Sequence, residues 1–285
     1  FTTKLGKAPR VLLIVISAGI DPWLSIEKQE QEAILAELRP HFVDTLWFQG
    51  SPEMSTGYRY RFLNWLILKQ LRVTYSEVAW LRKLVKKLWN RFEWNALGSL
   101  YLKHMVRNRR TRPISDASAK RIFQDLPIQL PLAGIRTLDA LRYSIENYEF
   151  DYLLRINSTC LPVPRQIAEL VMKLPPARVY GGRPLQFAGT HFVSGAAIIF
   201  SRDVVRGLVD EAESYCYNVY EDVGLGRLIQ SKNLAEVVEI ERLDLTAVQE
   251  VPSTVTPSWP GAYVVRCKTE APDTTRSEPV VEIMQ

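Results

Sequence analysis

Cysteine and histidine are scarce here: 285 residues hold only three of each. Cys160, Cys216 and Cys267 are too scattered for a disulfide scaffold or for paired zinc-ligand spacing, so they read as buried, reduced thiols. His41, His104 and His191 show no metal-ligand spacing, so nothing points to a zinc enzyme. No stretch reaches the ~20 uninterrupted apolar residues that a membrane span needs. Internal repeats and low-complexity tracts are missing too. The chain opens on Phe1 rather than Met, so the lack of a leader excludes nothing.

What is present is ordinary globular material, 47% hydrophobic and 24% charged, which argues against a largely disordered chain. Residues 10–17, R-V-L-L-I-V-I-S, form a continuous β-branched run ending in small residues, as expected of a strand buried on both faces of a parallel sheet. Helical spacing follows over 21–38 and is closed by Pro40; residues 43–48 read as a second strand. Strand, helix and strand in that order predict an α/β fold whose ligand crevice lies beyond the strand C-termini, near Ser17, Ala18 and Gly50. The α/β pattern resumes later, with helices predicted at 137–148, 165–174, 203–212 and 222–230, and strands at 152–156 and 193–200. Gly181 and Gly182 read as a plain turn or as a point of close backbone approach.

Between these regions the composition changes. Residues 58–112 carry fourteen Lys and Arg against two acids, Glu77 and Glu93, and concentrate a net charge that is +5 for the chain. Apolar residues recur there at spacings of three and four, predicting two amphipathic helices broken near Gly98. Trp65, Trp80, Trp89 and Trp94 lie among the cations, a combination suited to an anionic membrane surface. A helical subdomain with a tryptophan core and a polyanion-binding surface are the alternatives. The expected organisation is an α/β domain in two parts, 1–57 and 126–269, with a basic helical insertion at 58–125 and a polar C-terminal tail at 270–285.

Three stretches occur in an informative order. F-V-S-G-A-A-I-I-F-S-R-D begins at Phe192, E-D-V-G-L-G at Glu221 and Y-V-V-R-C-K at Tyr263; a weaker one, I-R-T-L, starts at Ile135. Together they resemble the β-1,3-glycosyltransferases of glycosyltransferase family 31, the group that includes Fringe, over about 134–268. The resemblance implies a GT-A fold, a Rossmann-like, mixed, mostly parallel sheet flanked by helices. It also implies inverting transfer of a hexose or N-acetylhexosamine from a nucleoside-diphosphate sugar, by resemblance a UDP-sugar, to a glycan or lipid-linked glycan hydroxyl.

By that resemblance Asp222 is the catalytic base, and Glu221 orients the acceptor or supports the loop. Helix N-capping is the rival reading of Asp222. Ser17 and Ala18 are placed at the nucleotide, and Ser194, Gly195 and His191 on the acceptor side. One departure stands out: where the family carries an Asp-x-Asp metal motif, this chain reads I-N-S-T-C from Ile156, with no carboxylate. Asn157 and Thr159 are counted among the donor-binding residues but are poor ligands for a hard divalent cation, so no metal cofactor is expected, Mn2+ being the alternative. Arg266 and Lys268, which share one strand face, and Arg155 are then the candidates to stabilise the donor diphosphate. A catalytically inactive glycan-binding or assembly module is the competing function. A nucleic-acid-binding protein explains less, because it leaves the acidic pair unaccounted for, and no specific nucleic-acid partner is expected. The expected location is cytoplasmic and peripheral to a membrane, with the Golgi lumen as the alternative.

Overall fold

β1 (Val11–Ser17) is buried along its whole length, and its side chains alternate between two separate cores. Leu12, Ile14 and Ile16 enter one core, while Val11, Leu13 and Val15 enter the other. A period of two on a sheet covered on both faces accounts for the unbroken apolar run. The computed structural model of the chain describes residues 8–17, 42–51, 112–113, 121–127, 133–187, 189–216, 219–245 and 262–267. The predicted helix over 21–38 and most of the basic segment lie outside them, as do Ala18 and Lys268.

The remaining strands follow in chain order as β2 (Phe42–Ser51), β3 (Arg112–Pro113), β4 (Arg121–Pro127), β5 (Tyr152–Asn157), β6 (Cys160–Pro162) and β7 (Val179–Gly182). After them come β8 (Pro184–Phe187), β9 (Thr190–Val193), β10 (Ala197–Ser201), β11 (Glu236–Glu239), β12 (Leu243–Leu245) and β13 (Val264–Cys267). Among the described residues, eight of these make one sheet in the order β11, β7, β10, β5, β1, β2, β4, β3. The pairings of β1 with β2 and β5, of β2 with β4 and of β11 with β7 are parallel; β10 runs antiparallel to β5 and β7, and β3 to β4. The architecture is therefore a mixed, mostly parallel α/β sheet. Two small sheets accompany it, β12, β13, β6 and the hairpin β8, β9.

Four helices flank the strands among the described residues: α1 (Ala133–Asn147), α2 (Pro164–Val171), α3 (Arg202–Asp210) and α4 (Glu221–Lys232). α1, α3 and α4 cover one face through Ile135, Leu138, Leu141, Val204, Val205, Leu208, Leu225, Leu228 and Ile229. α2 covers the other with Ile167 and Val171. The glycines of E-D-V-G-L-G allow α4 to lie close to its neighbours. A Cβ on Gly226 would stand 2.4 Å from Phe192 Cβ, and one on Gly224 2.5 Å from the Tyr215 hydroxyl, both closer than atoms tolerate.

Several elements differ from expectation for identifiable reasons. The predicted strand over 193–200 is two strands, β9 and β10, because Ser194, Gly195 and Ala196 form a turn that moves the chain from the β8 hairpin into the main sheet. Gly181 and Gly182 lie in β7, where a Cβ on Gly181 would press on Ile240 and Ile199 at 2.5 and 2.6 Å; the need is close packing rather than a turn. β4 is a strand of the main sheet although its first five residues fall in the stretch expected to be helical insertion.

Beneath the strand C-termini lies a buried arginine. Arg136, on α1, donates from Nη2 to the carbonyls of Ser17 (2.7 Å) and Phe48 (2.8 Å), and from Nε to Gln124 Oε1 (3.1 Å). A carbonyl at the C-terminal end of β1 and one within β2 are thereby tied to α1. Gln124 in turn donates to the Arg136 carbonyl and to Asp139 Oδ2 at 3.1 Å. Burial pushes the Asp139 carboxyl up to about 6, against the lowering effect of the Gln124 hydrogen bond. An acid raised in the folded state binds more protons folded than unfolded between about pH 4 and 6, so its contribution to stability falls as pH rises through that window and is constant above it. Asp139→Asn keeps the acceptor for Gln124 and removes this dependence. In urea unfolding the variant should gain on the native protein from pH 4 to pH 6.5, by on the order of 2 kcal/mol, and then level off; a difference that does not change with pH would contradict the assignment.

Candidate functional site

In β5 the alternation that sends Leu154 and Ile156 towards α2 sends Leu153 and Arg155 towards α1 and α4. Arg155 is 1% exposed and is committed there. Its Nη2 donates to Glu221 Oε2 at 2.6 Å, and its Nη1 donates to the carbonyl of Gly195. Thr137 of α1 donates to the other Glu221 oxygen at 2.5 Å. One ion pair thus joins β5, α1, the first turn of α4 and the Ser194–Ala196 turn. Burial raises the Glu221 carboxyl above its ordinary range, while Arg155 and Thr137 act in the opposite direction.

Glu221 holds the inner place, and its neighbour faces the turn. α4 begins at Glu221 with Tyr220 as its N-cap residue, so Asp222 sits inside the first turn and is not the cap. Its Oδ1 accepts from the Val223 amide at 2.9 Å, and its Oδ2 accepts from the Gly195 amide at 3.2 Å. The helix dipole favours a carboxylate at this position. A Cβ on Gly195 would stand 3.3 Å from Asp222 Cβ, tighter than most contacts, which accounts for glycine in the S-G pair.

The same turn is fixed from three further directions. Ala196 O accepts from the Asn157 amide at 3.0 Å and from Cys160 Sγ at 3.2 Å. Burial pushes the Cys160 thiol up, which makes it a structural group rather than a nucleophile. Ser194 is 7% exposed; its amide donates to the Arg183 carbonyl at 2.9 Å, and its hydroxyl accepts from Arg242 Nη1 at 3.1 Å. Arg242 also grips Asp244, Nε to Oδ1 at 2.6 Å and Nη2 to Oδ2 at 3.0 Å.

Of the residues singled out in the sequence, the structure gathers Asp222, Glu221, Gly195, Ser194, Arg155 and Asn157 around this turn, at the C-terminal end of β5. Ser17 ends the neighbouring strand β1, where it is 1% exposed and its carbonyl is taken by Arg136. Thr159 follows β5 in the turn that leads to β6. Arg266 stands on β13, opposite Cys160 and Asp244 in the strand register. His191 is exposed on β9, opposite Gln186. Arg155 is the clear departure: expected at the donor diphosphate, it is buried beneath the site, where Glu221 and Gly195 use its guanidinium. Arg242, Arg183 and Thr137 were not singled out as site residues. Thr137 belongs to the quoted I-R-T-L segment, whereas nothing local in E-R-L-D marks Arg242.

A divalent cation of the kind the resemblance implies does not fit the end of β5. The side chains after Ile156 are Asn, Ser, Thr and Cys, none of them anionic oxygen donors, and among the described residues no three His, Cys, Asp or Glu gather closely enough to hold a metal. Among the described residues no helix is long and apolar enough to cross a membrane.

No family model matches the chain, and no curated protein matches it either. Among solved structures, the galactosyltransferase LgtC in complex with donor and acceptor sugar analogs superposes with a TM-score of 0.40 at 10% identity, covering 96% of this chain and 95% of that one. An active-site mutant of LgtC gives a TM-score of 0.39 at 10% identity, over 90% and 86% of the two chains. A superposition this loose has no bearing on activity.

The joint role of Arg155 is testable. Arg155→Met leaves the Glu221 carboxylate buried without its counter-ion and should lower the unfolding free energy by roughly 3–5 kcal/mol. Adding Glu221→Leu to the same chain should restore part of that loss. A single variant within about 0.5 kcal/mol of native in urea unfolding would show that the pair does not hold the site together.

Proposed function

We propose that the chain is an inverting glycosyltransferase of the GT-A type, acting on a nucleoside-diphosphate sugar and a glycan or lipid-linked glycan hydroxyl. The observation that carries the reading is the pairing of Asp222 with the Gly195 amide at 3.2 Å, beside the C-terminal end of β5. It joins two sequence stretches that resemble one glycosyltransferase family and are separated in the chain by α3. It also puts a half-buried carboxylate where open α/β sheets bind ligands.

In this reading the Asp222 carboxylate takes the proton of the acceptor hydroxyl. The oxygen bonds to the anomeric carbon from the side opposite the leaving group, and the bond from that carbon to the diphosphate oxygen breaks. Proton and sugar are accounted for, and the nucleoside diphosphate departs as the anion. Glu221 takes no proton; clamped by Arg155 and Thr137, it positions the first turn of α4 so that Asp222 faces the Ser194–Ala196 turn. Arg266 and Lys268 are proposed to stabilise the departing diphosphate, and no step is routed through a metal, because the side chains following β5 do not suit one. Ser17 and Ala18 are proposed on the nucleotide side, Ser194 and His191 on the acceptor side.

Asp222→Asn keeps size and packing but removes the base. Transfer measured over a panel of nucleotide sugars should fall by about a hundredfold or more with donor affinity kept; an Asn variant that turns over at the native rate removes Asp222 from the mechanism. Activity should persist in excess EDTA. Complete loss on chelation with recovery on adding Mn2+ would show that the diphosphate is neutralised by a cation after all. Donor binding without turnover in the native protein would favour the inactive glycan-binding module.

A further inference from the structure

Two guanidinium groups share one carboxylate on β12, and one of them is redundant. Arg242 already satisfies both oxygens of Asp244, at 2.6 and 3.0 Å, in the fork geometry that suits a carboxylate. Arg183 donates to the same Oδ2 at 2.8 Å, yet its side chain is 54% exposed while that of Arg242 is 2% exposed. Arg183 can therefore turn towards another anion without leaving Asp244 unpaired. Arg266 faces Asp244 across β12 and β13, which brings a third positive charge to the cluster. Burial alone would raise the Asp244 carboxyl, but Arg242, Arg266 and Arg183 hold it below its ordinary range, as expected where cations outweigh the single acid.

The cluster borders the proposed active site. Arg242 reaches Ser194, the residue before Gly195, whose amide meets Asp222. Beside it lies the Tyr263 hydroxyl, buried and, among the described residues, without a hydrogen-bond partner, about 3.4 Å from where a Cβ on Gly182 would stand. A buried hydroxyl left unpaired next to a surplus of guanidinium groups suits a site whose polar occupant comes from outside the chain.

We infer that Arg183, backed by Arg242 and placed beside Ser194 and Tyr263, is a further diphosphate-binding group for a nucleoside-diphosphate substrate, acting alongside Arg266 and Lys268. The inference rests on the glycosyltransferase reading above and names where that substrate's charge is held. Arg242 is a positioning residue here: it neutralises Asp244, freeing Arg183, and fixes the Ser194 hydroxyl. A planar, always charged guanidinium is the side chain best matched to phosphate oxygens.

Calorimetric titration of the full chain with UDP, inorganic pyrophosphate and uridine, in EDTA, tests this. UDP and pyrophosphate should bind, uridine much more weakly. Arg183→Gln should weaken UDP and pyrophosphate by about tenfold or more and leave uridine unchanged. Arg183→Lys, which keeps the charge and loses the fork, should fall between, and thermal melts of both variants report whether they fold. UDP affinity unchanged in a folded Arg183→Gln that still transfers sugar overturns the subsite and leaves the enzyme reading standing. Loss of pyrophosphate binding in that variant, where the native protein itself transfers no sugar from any donor, keeps the subsite and overturns the enzyme reading. Equal affinity of the native protein for UDP and uridine overturns the inference.

Discussion

Everything that gives the site its shape meets at a buried ion pair. Arg155 enters the core because β5 alternates, and a lone guanidinium there would be ruinous without a counter-charge. Glu221 supplies it at 2.6 Å, with Thr137 taking the second oxygen. Desolvating both groups is costly, so the pair is a weak source of stability. Its effect is positional: it fixes the first turn of α4 against β5, and the other arm of Arg155 fixes Gly195. Asp222, one residue on from Glu221, can then point only towards the turn.

A second buried arginine works in a similar way at the neighbouring strand ends. Arg136 ties the carbonyls of Ser17 and Phe48 from below, and Arg155 ties that of Gly195. Both cations hydrogen-bond backbone oxygens, which gives the end of β1, the later part of β2 and the β9 to β10 turn a rigid floor. Rigidity of this kind is what a site needs if its charges are to be in place before the reaction begins.

Much of the fold could be read from patterns whose cause is local. The apolar run of β1 is continuous because both faces of the strand are covered. The break at Ser194–Ala196 escaped notice because the flanking residues are as apolar as a strand interior; what interrupts the strand is a change of sheet, a tertiary fact. Asp222 and Gly195 were legible as motif residues, but their contact was not. Arg155 was misread for a physical reason: in sequence a basic residue beside a ligand-binding strand end looks like an anion contact, and only the strand's facing direction shows it turned to the core. Arg183 and Arg242 carried no signal, since their meeting at Asp244 depends on how β12 sits beside β13 and the β8 hairpin.

On the proposed function, a nucleotide sugar lies at the C-terminal end of β5. A crystal structure of the protein with a bound, non-hydrolysable nucleotide sugar addresses it directly. The prediction is a ligand at the C-terminal end of β5, its anomeric carbon on the Asp222 side of the Ser194–Ala196 turn. At the opposite end of the sheet, a groove of about 330 Å³ runs beside Arg10, Phe42 and Met172. A ligand found there, or one whose sugar lies away from Asp222, would contradict the account.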